Sequence, residues 1–322
     1  MTVLVTGGSG VVGASLIRHL IERGMAVSAL SRTSASDVIL RNVGAAPVRG
    51  DVTDPATLRS AVAGVELVYH VAGVNTMCPV DPSELYRVNV DGSRNVVAAA
   101  EDAGVRRIVY TSSAAAIGEP AGTVGTESTP HRGSYLSHYE RSKHLAEEAV
   151  FAAADHVEVV AVNPSSVQGP GRATGTGALI LDLLRDRLPA LVDSRLSIVD
   201  IDDCSRGHIL AAEKGVPGER YVLNSFTMTM RDAVGILDRV VEGSLSVRWV
   251  PGWVASIGVL GVEGLARLRK RKPAFCREMV RTLRHGHAYD GSKATRELGL
   301  EYSTAPDLLG RLVAWFRAEG ML

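Results

Sequence analysis

The sequence predicts an α/β protein built on a doubly wound parallel sheet, and three observations support this prediction. Short apolar runs alternate with amphipathic helical patterns through the first half of the chain, as repeated β–α–β units do. A glycine-rich turn joins the first apolar run to the first helix. Beyond about residue 164 the periodicity becomes less regular, which indicates a smaller, discontinuous C-terminal region. A chain of 322 residues suffices for one large domain or two modest ones.

Charge and cysteine content argue against several classes of partner. The chain carries 35 basic and 35 acidic residues, a balance that argues against nucleic acid or an acidic membrane as the main partner. Its three cysteines, Cys78, Cys204 and Cys276, are far apart. Their spacing predicts neither a metal site nor a disulfide framework and is typical of a reducing compartment. The first strand begins at Thr2, which leaves no room for a signal peptide, so we expect a cytoplasmic protein.

The first strand and the turn after it predict a dinucleotide site. Residues 2–6 form a short β-branched run, typical of a buried strand. Three glycines with the spacing Gly-x-x-Gly-x-x-Gly then lead into a helix. Gly7 permits a tight turn, Gly10 lets the backbone approach a pyrophosphate, and Gly13 allows close packing at the helix N-terminus. A flexible surface turn is the alternative. The expected cofactor contacts here are Gly7, Ser9, Gly10, Val11, Val12 and Gly13.

The second and third strands bear on the choice of cofactor. Residues 25–30 form a strand pattern, and no acidic residue stands at its end to bind a ribose 2′-hydroxyl as in NAD sites. Ser31 and Arg32 suit a 2′-phosphate instead. NADP(H) is therefore the preferred cofactor, with NAD(H) as an option, and an arginine in solvent is the alternative. The third strand, residues 46–52, ends with Asp51 and Val52. These two can contact the adenine, unless Asp51 only caps the next helix.

Small or hydroxylated residues end the fourth and fifth strands, where open α/β sheets bind ligands. Residues 67–73 form the fourth strand, and Val71, Ala72 and Gly73 leave room there for a cofactor. Residues 107–111 form the fifth strand, which ends at Thr111. Ser113 follows it closely and can hydrogen-bond a substrate oxygen, or else it only caps a turn.

The strongest catalytic candidates are Tyr139 and Lys143. They stand four residues apart in a predicted helix, so their side chains share one face. An ammonium beside a phenol favours the phenolate, because an opposite charge typically moves a pKa by about 1–3 units. Such a shift would let Tyr139 exchange a proton with an alcohol or ketone. An ordinary solvent-exposed helix pair is the alternative. Lys143 is the first lysine in a chain whose cationic side chains are mostly arginine.

The sixth strand, residues 157–163, precedes the turn Pro164-Ser165-Ser166. We assign residues 1–163 to a dinucleotide-binding domain. Residues 164–195 and 225–322 form a substrate-binding region, while residues 196–224 partly return to the first domain, with a strand over 196–201 that rejoins the sheet. Helical patterns in the second half cover residues 175–187, 203–214, 230–241, 254–268, 275–283 and 305–319.

One apolar stretch is a candidate for membrane contact. Residues 253–268 are largely apolar, and a basic run continues to residue 272, as in helices that lie on a membrane surface. About 16 apolar residues are too few to span a bilayer. We favour the alternative that this helix lines an apolar pocket.

Four motifs occur in order along the chain: Thr6 to Gly13, Ser112-Ser113-Ala114, Tyr139 to Lys143, and Asn163-Pro164-Ser165. Together they resemble the extended short-chain dehydrogenase/reductase family, also called the NAD-dependent epimerase/dehydratase family. The resemblance covers essentially the whole chain and implies a Rossmann-type fold. Residues 109–113, 139–148, 218–221 and 314–317 are most similar to its dihydroflavonol reductase-like branch, which includes hopanoid-associated sugar epimerases.

The resemblance also implies roles for individual residues. Tyr139 would be the general acid/base, and Lys143 would bind the nicotinamide ribose and lower the Tyr139 pKa. Ser113 would hold the substrate oxygen, and Asn89 would support the site. Residues 164–166 would pack beside the nicotinamide. Family members often dimerise through the helices that hold Asn89 and Tyr139, so a homodimer is implied. No metal is expected.

Two departures from the family pattern bear on the reaction. Ala114 and Ala115 stand where sugar 4,6-dehydratases place an Asp-Glu pair, which disfavours dehydration. Residues 196–199 lack the Arg-aromatic pattern of sugar-nucleotide epimerases, although Arg195 could still pair with a phosphate. The leading hypothesis is an NADP(H)-dependent oxidoreductase that interconverts a carbonyl and a secondary alcohol on a fairly apolar, ring-containing small molecule. The alternatives are a nucleotide-sugar epimerase with tightly bound NAD and a non-catalytic dinucleotide sensor.

Overall fold

The computed structural model describes residues 2–188, 190–243, 245–268, 273 and 275–322. Within these ranges the strands are β1 Val3–Thr6, β2 Val27–Ser31, β3 Ala46–Arg49, β4 Leu67–His70, β5 Arg107–Thr111, β6 Glu158–Pro164, β7 Ser166–Gln168, β8 Leu191–Val192, β9 Arg195–Asp200, β10 Arg220–Leu223, β11 Phe226–Thr229 and β12 Trp249–Val250. The α-helices are α1 Val11–Glu22, α2 Ser34–Asn42, α3 Pro55–Val62, α4 Ser83–Tyr86, α5 Gly92–Ala103, α6 His138–Ala153, α7 Thr176–Leu184, α8 Ile201–Lys214, α9 Met230–Val241, α10 Gly252–Leu268, α11 Arg277–His285 and α12 Ala305–Ala318.

Seven strands form one large sheet in the order β10-β6-β5-β4-β1-β2-β3. Every neighbouring pair in it is parallel. The strand order reverses beside β1, so the sheet is doubly wound, and the carboxyl ends of its strands share one edge. The predicted α/β fold class is therefore confirmed.

The sheet is buried on both faces, which explains its continuous apolar strands. Val3 and Val5 point into a core that also contains Leu16 of α1 and Ile209 of α8. Leu4 points to the opposite face, into a core shared with helices α3, α5 and α6. This alternation follows the two-residue period of a strand.

One strand lies elsewhere than expected. Residues 196–201 were predicted to rejoin the large sheet, but β9 pairs in parallel with β7 and antiparallel with β11 in a separate three-stranded sheet. The free side of β6 is occupied by β10, whose residues Arg220 to Leu223 pair with Ala161 to Pro164. Because an edge accepts only one neighbouring strand, β9 is excluded from it.

The prediction of no disulfide was wrong. Cys78, in the segment after β4, is bonded to Cys276 at the start of α11, across 198 residues of sequence. Both cysteines are buried, and Cys204 is a free, buried thiol. A pairing across so many residues leaves no spacing pattern, and only the fold brings the two sulfurs together.

The apolar helix α10 packs against α11 and leaves Trp253 and Ile257 more than 60% exposed, at 64% and 63%. Among the described residues, no helix is long and apolar enough to cross a membrane. Part of the stretch proposed for membrane contact, residues 269–272, lies outside the described residues. A small apolar cavity lies among α7, β9, α9 and α12, and among the described residues Thr176 is the one polar residue of its lining. That the helix over residues 254–268 lines an apolar pocket stays a prediction.

Candidate active site

In the turn between β1 and α1, neighbouring backbone atoms lie so close to Gly7 and Gly13 that neither position has room for a side chain. Gly7 has a φ of +72°, and a Cβ there would lie 2.6 Å from the backbone nitrogen of Ala72. A Cβ on Gly13 would lie 2.3 Å from the carbonyl oxygen of Gly7. Both distances are far below van der Waals contact, so the turn holds the first residues of α1 tightly against β1.

The N-terminus of α1 is open towards the carboxyl edge of the sheet. The helix begins at Val11 with Gly10 as its N-cap, and its first turn has neither a capping side chain nor an acidic residue among the described residues. Unpaired N–H groups and the positive end of the helix dipole then face outward. This is the geometry that binds a pyrophosphate.

Ser31 and Arg32 have different environments at the end of β2. The Ser31 hydroxyl donates to the carboxylate of Asp37, which also pairs with Arg49 at 2.7 Å. Ser31 is 1% exposed, so it is committed to this buried network. The Arg32 side chain is mostly exposed, and its Nη1 lies 3.8 Å from Oδ2 of Asp51. Of the two residues, Arg32 is the one whose side chain is exposed enough to contact an incoming anion, although its guanidinium also lies close to Asp51.

Asp51 does not cap the helix that follows it. The N-cap of α3 is Asp54, whose side chain accepts from the N–H of Ala56. Asp51 Oδ1 instead accepts two hydrogen bonds from Thr53, from its backbone N–H and its hydroxyl, each at 2.9 Å. Val52 is buried beside it. Capping is thus excluded, and the pair keeps the position predicted for contact with the adenine.

A π-helical turn positions Asn89. The turn spans Arg87–Asp91 and joins α4 to α5 without a break. Asn89 is buried; its amide accepts from the N–H of Val74 at 2.7 Å and donates to the Val74 carbonyl at 3.0 Å and to the Ser142 hydroxyl at 2.9 Å. Asn89 therefore ties the segment after β4 to α6. Gly73 lies in the same place, where a Cβ would be 3.3 Å from the Asn89 oxygen.

Helix α6 begins with a cap that places Tyr139 in its first turn. Ser137 accepts from the N–H of Glu140 at 3.1 Å, and Glu140 accepts from the N–H of Leu136 at 2.9 Å. Ser113 caps the short 3₁₀ helix Ala114–Ile117 and is close enough to the Tyr139 phenol to influence its pKa. Burial raises the pKa of Tyr139, and the Ser113 hydroxyl and the Arg172 guanidinium oppose that rise.

Lys143 points towards β5. Its ammonium donates to the Thr111 carbonyl at 2.8 Å and to the Tyr110 hydroxyl at 3.3 Å. Burial lowers the pKa of Lys143 to about 8, and the nearby carboxylate of Glu147 acts in the opposite direction. Among the described residues, the groups that lower the Tyr139 pKa are Ser113 and Arg172. The sequence assigned that effect to Lys143.

Several buried polar atoms at this edge lack a partner among the described residues. The predicted turn at residues 164–166 is not found: Pro164 ends β6, Ser166 begins β7, and only Ser165 lies between the two strands. The Ser166 hydroxyl lies 3.2 Å from that of Thr176. A ligand that carries donors and acceptors would satisfy the atoms left over, since buried polar groups are normally hydrogen-bonded. The unpartnered atoms here are Ser112 Oγ, Asn163 Oδ1, Ser165 Oγ, Gln168 Oε1 and Arg172 Nε.

Sequence reasoning missed two residues of this site. Glu147 is buried, accepts from Asn163 at 2.6 Å and pairs with Arg220 at 2.8 Å. It stands one turn after Lys143, so the helical spacing could have identified it. Arg172 follows the Gly169-Pro170-Gly171 turn after β7, and its place beside Tyr139 depends on long-range packing.

The open helix terminus and the orphaned polar atoms lie along one carboxyl edge, and both fit a nicotinamide dinucleotide. A phenol, a hydroxyl and an ammonium gather at the same edge. These features define a class of protein, the dinucleotide-dependent oxidoreductases of Rossmann type.

Comparison with known proteins gives the family. The model of the 3-beta hydroxysteroid dehydrogenase/isomerase family matches residues 4–217. A putative dihydroflavonol 4-reductase of Synechocystis sp. is 36% identical over 98% of this chain and 94% of its own length. Sterol demethylase protein B of Methylococcus capsulatus is 33% identical over 100% of both chains. The crystal structure of gox2253 is 33% identical, with a TM-score of 0.87 over 100% of this chain and 99% of its own.

The chain belongs to the 3-beta hydroxysteroid dehydrogenase/isomerase family, within the extended short-chain dehydrogenase/reductases. It is accordingly an NAD(P)-dependent enzyme of that type. The resemblance inferred from its motifs is confirmed, and the hypothesis of a non-catalytic sensor is set aside.

Proposed function

We propose that the protein is an NADP(H)-dependent oxidoreductase that interconverts a carbonyl and a secondary alcohol on an apolar, ring-containing small molecule. One observation carries the proposal: the Tyr139 phenol stands beside the Ser113 hydroxyl, one helical turn from the buried ammonium of Lys143. A phenol that meets a second hydroxyl at a cofactor edge is suited to hold a substrate oxygen and to move a proton onto it.

The bound nicotinamide supplies or accepts the hydride. In the reductive direction the Ser113 hydroxyl holds the carbonyl oxygen, and the Tyr139 phenol donates its proton to that oxygen as negative charge develops there. Burial raises the pKa of Tyr139 and so keeps the phenol protonated near neutral pH, ready to act as an acid. Once the proton has left, Arg172 and Ser113 stabilise the phenolate. In the oxidative direction the same phenolate takes the proton back.

Two features support an apolar substrate. The cavity beyond β9 is lined by leucine, isoleucine, valine and methionine. Thr176, a polar residue of its lining, lies beside Ser166 at the start of β7. In addition, relatives are named for a dihydroflavonol, a sterol and a 3-beta-hydroxysteroid, all of which are ring compounds.

The substitution Tyr139→Phe tests the mechanism. It removes the proton donor and keeps the ring, so turnover of a cyclic ketone panel with NADPH should fall by about 10²–10⁴-fold, while NADPH affinity stays within about twofold. Tyr135→Phe is the matched control, because Tyr135 lies four residues earlier, in the loop before α6, and Ser113 does not influence its pKa. Turnover by Tyr139→Phe within tenfold of the wild type would refute the assignment.

Arg32 is the proposed determinant of NADP(H) preference. Its exposed guanidinium is available for a 2′-phosphate, and a charge-assisted hydrogen bond contributes about 1.5–3 kcal/mol. Arg32→Ala should therefore reduce the ratio of NADPH to NADH affinity by roughly 10–150-fold. Arg59→Ala, at an exposed position of α3, serves as the control. Affinities measured by cofactor fluorescence that leave the ratio unchanged would show that another group reads the phosphate.

One observation favours a second candidate, a nucleotide-sugar epimerase. Arg172 is a cation beside Tyr139 with a buried, unpartnered Nε, and a guanidinium suits a diphosphate. The two functions predict different contents of the purified protein. Tightly bound NAD⁺ and a thermal shift with UDP-sugars indicate the epimerase, whereas NADPH binding without such a shift indicates the oxidoreductase.

A further inference from the structure

A second polar cluster lies outside the site described above. Glu119 follows the 3₁₀ turn after β5, His285 ends α11, and His287 lies two residues further on. Oε1 of Glu119 is 3.2 Å from Nε2 of His285 and 2.6 Å from Nδ1 of His287. The Glu119 side chain is 1% exposed, and those of His285 and His287 are 7% and 17% exposed. The carboxylate is therefore shielded from solvent and faces two imidazoles.

The donor set has the chemistry of a transition-metal site. One ligand atom from each residue lies within 4.8 Å of the others. Two imidazole nitrogens and a carboxylate oxygen form a familiar protein ligand set for Zn²⁺, with bonds of about 2.0–2.2 Å. Tetrahedral ligands at such distances stand about 3.3 Å apart. The contact to His285 already matches that spacing, and the contact to His287 needs to lengthen by less than about 1 Å.

The second carboxylate oxygen of Glu119 makes no hydrogen bond to the described residues. This atom, Oε2, is buried. A buried carboxylate oxygen without a donor is costly, and hydrogen bonds to the histidines use only Oε1. The Tyr289 hydroxyl lies 2.9 Å from Nδ1 of His287 and marks where a fourth ligand, either this phenol or a water, would enter.

The guanidinium of Arg132 lies close to the cluster but is paired with a carboxylate outside it. Arg132 donates to the Glu119 carbonyl at 3.1 Å and pairs with the carboxylate of Glu140. Arg132 therefore contacts the backbone of Glu119, and its charge is balanced by the carboxylate of Glu140.

We propose that Glu119, His285 and His287 form a structural Zn²⁺ site. The metal would fix the C-terminal end of α11 to the turn after β5, as the Cys78–Cys276 disulfide fixes its N-terminal end. Local spacing could not reveal this site, because Glu119 and His285 are 166 residues apart in sequence. The prediction of no metal rested on cysteine spacing alone.

Metal titration of the full chain tests the proposal. The protein is stripped with a chelator, dialysed and titrated with ZnCl₂ by calorimetry. We expect one equivalent to bind saturably with a micromolar or lower Kd and to raise the Tm, reversibly with EDTA. Co²⁺ in its place should show the visible bands of a tetrahedral nitrogen and oxygen site without thiolate charge transfer. Absence of saturable one-equivalent binding, or a thiolate band that places the metal at Cys204, would overturn the proposal.

Variants localise the ligands. Glu119→Gln and His287→Gln should each weaken Zn²⁺ binding at least tenfold while far-UV circular dichroism stays unchanged. His156→Gln is the control, because the His156 side chain is 88% exposed and should leave the affinity unaltered. Wild-type affinity in both ligand variants would overturn the assignment. If a variant fails to fold, the wild-type titration and the Co²⁺ spectrum decide the question alone.

Discussion

The Cys78–Cys276 disulfide allows a quantitative prediction. The bond closes a segment of 198 residues, and the chain-entropy relation then gives a stabilisation of roughly 5 kcal/mol at 25 °C. Native disulfides usually contribute about 2–5 kcal/mol. Unfolding entropy is about 2.1 cal/mol/K per residue, which for the 322 residues of the chain amounts to roughly 0.7 kcal/mol/K. Cys78→Ser should therefore lower the Tm by about 3–7 °C.

Differential scanning calorimetry with and without a phosphine reductant measures this effect. The wild type should lose the same 3–7 °C on reduction, roughly as the entropy of the closed loop requires, and Cys78→Ser should not respond to the reductant. Thiol titration of the denatured, unreduced chain should find one thiol, that of Cys204. Three titratable thiols, or a Tm of the wild type that the reductant leaves unchanged, would refute the reasoning.

Two further predictions concern the glycine turn and the buried histidines. Gly13→Ala places a methyl 2.3 Å from the Gly7 carbonyl oxygen and should weaken NADPH binding at least tenfold, as measured by fluorescence titration. Gly310→Ala is the control, because a Cβ there meets nothing within 4 Å, and it should leave the affinity unchanged. Equal NADPH affinities of the two variants would show that the turn adapts to the methyl group. Burial lowers the pKa of His208 to about 4. The folded state therefore binds fewer protons than the unfolded one, and stability that is complete above pH 6.5 falls as the pH approaches 4, by about 2 kcal/mol at pH 5. Urea unfolding midpoints at pH 7.5 and pH 5 measure this loss of stability, and the loss should be smaller in His208→Asn. If the variant loses as much stability as the wild type between these pH values, other groups cause the loss.

The features that the sequence predicted are encoded locally. The glycine spacing determines the turn between β1 and α1, because no other residue tolerates those backbone contacts. The spacing of Tyr139 and Lys143 places both on one face of α6, because an α-helix repeats every 3.6 residues. The short β-branched run at residues 2–6 predicts a buried strand, because such runs suit a sheet that is covered on both faces. The strands of the dinucleotide-binding half are therefore found within a few residues of their expected bounds.

What the sequence missed depends on contacts between distant residues. The pairing of Cys78 with Cys276, the partners of β9 and the meeting of Glu119 with His285 have no short-range pattern. The direction of Lys143 depends on the Thr111 carbonyl, which the sheet brings under α6. Arg172, which follows the turn after β7, is close enough to influence the Tyr139 pKa, and this depends on long-range packing. Such positions follow from the packed fold, and helical or strand periodicity carries no information about them.

The π-helical turn at Arg87–Asp91 has a consequence for how this chain tolerates insertions and deletions. A wide turn holds one more residue than an α-helical turn, so removing one residue there would restore a regular helix and rotate α4 by about 100° relative to α5. Leu85, which is 1% exposed, would then swing away from the core, and Asn89 would leave Val74. A one-residue deletion at Val90 should therefore be far more damaging than one in the exposed segment 120–124. The extra residue of this turn determines the rotation of α4 relative to α5. The chain must keep it to preserve the position of Asn89 at the cofactor edge.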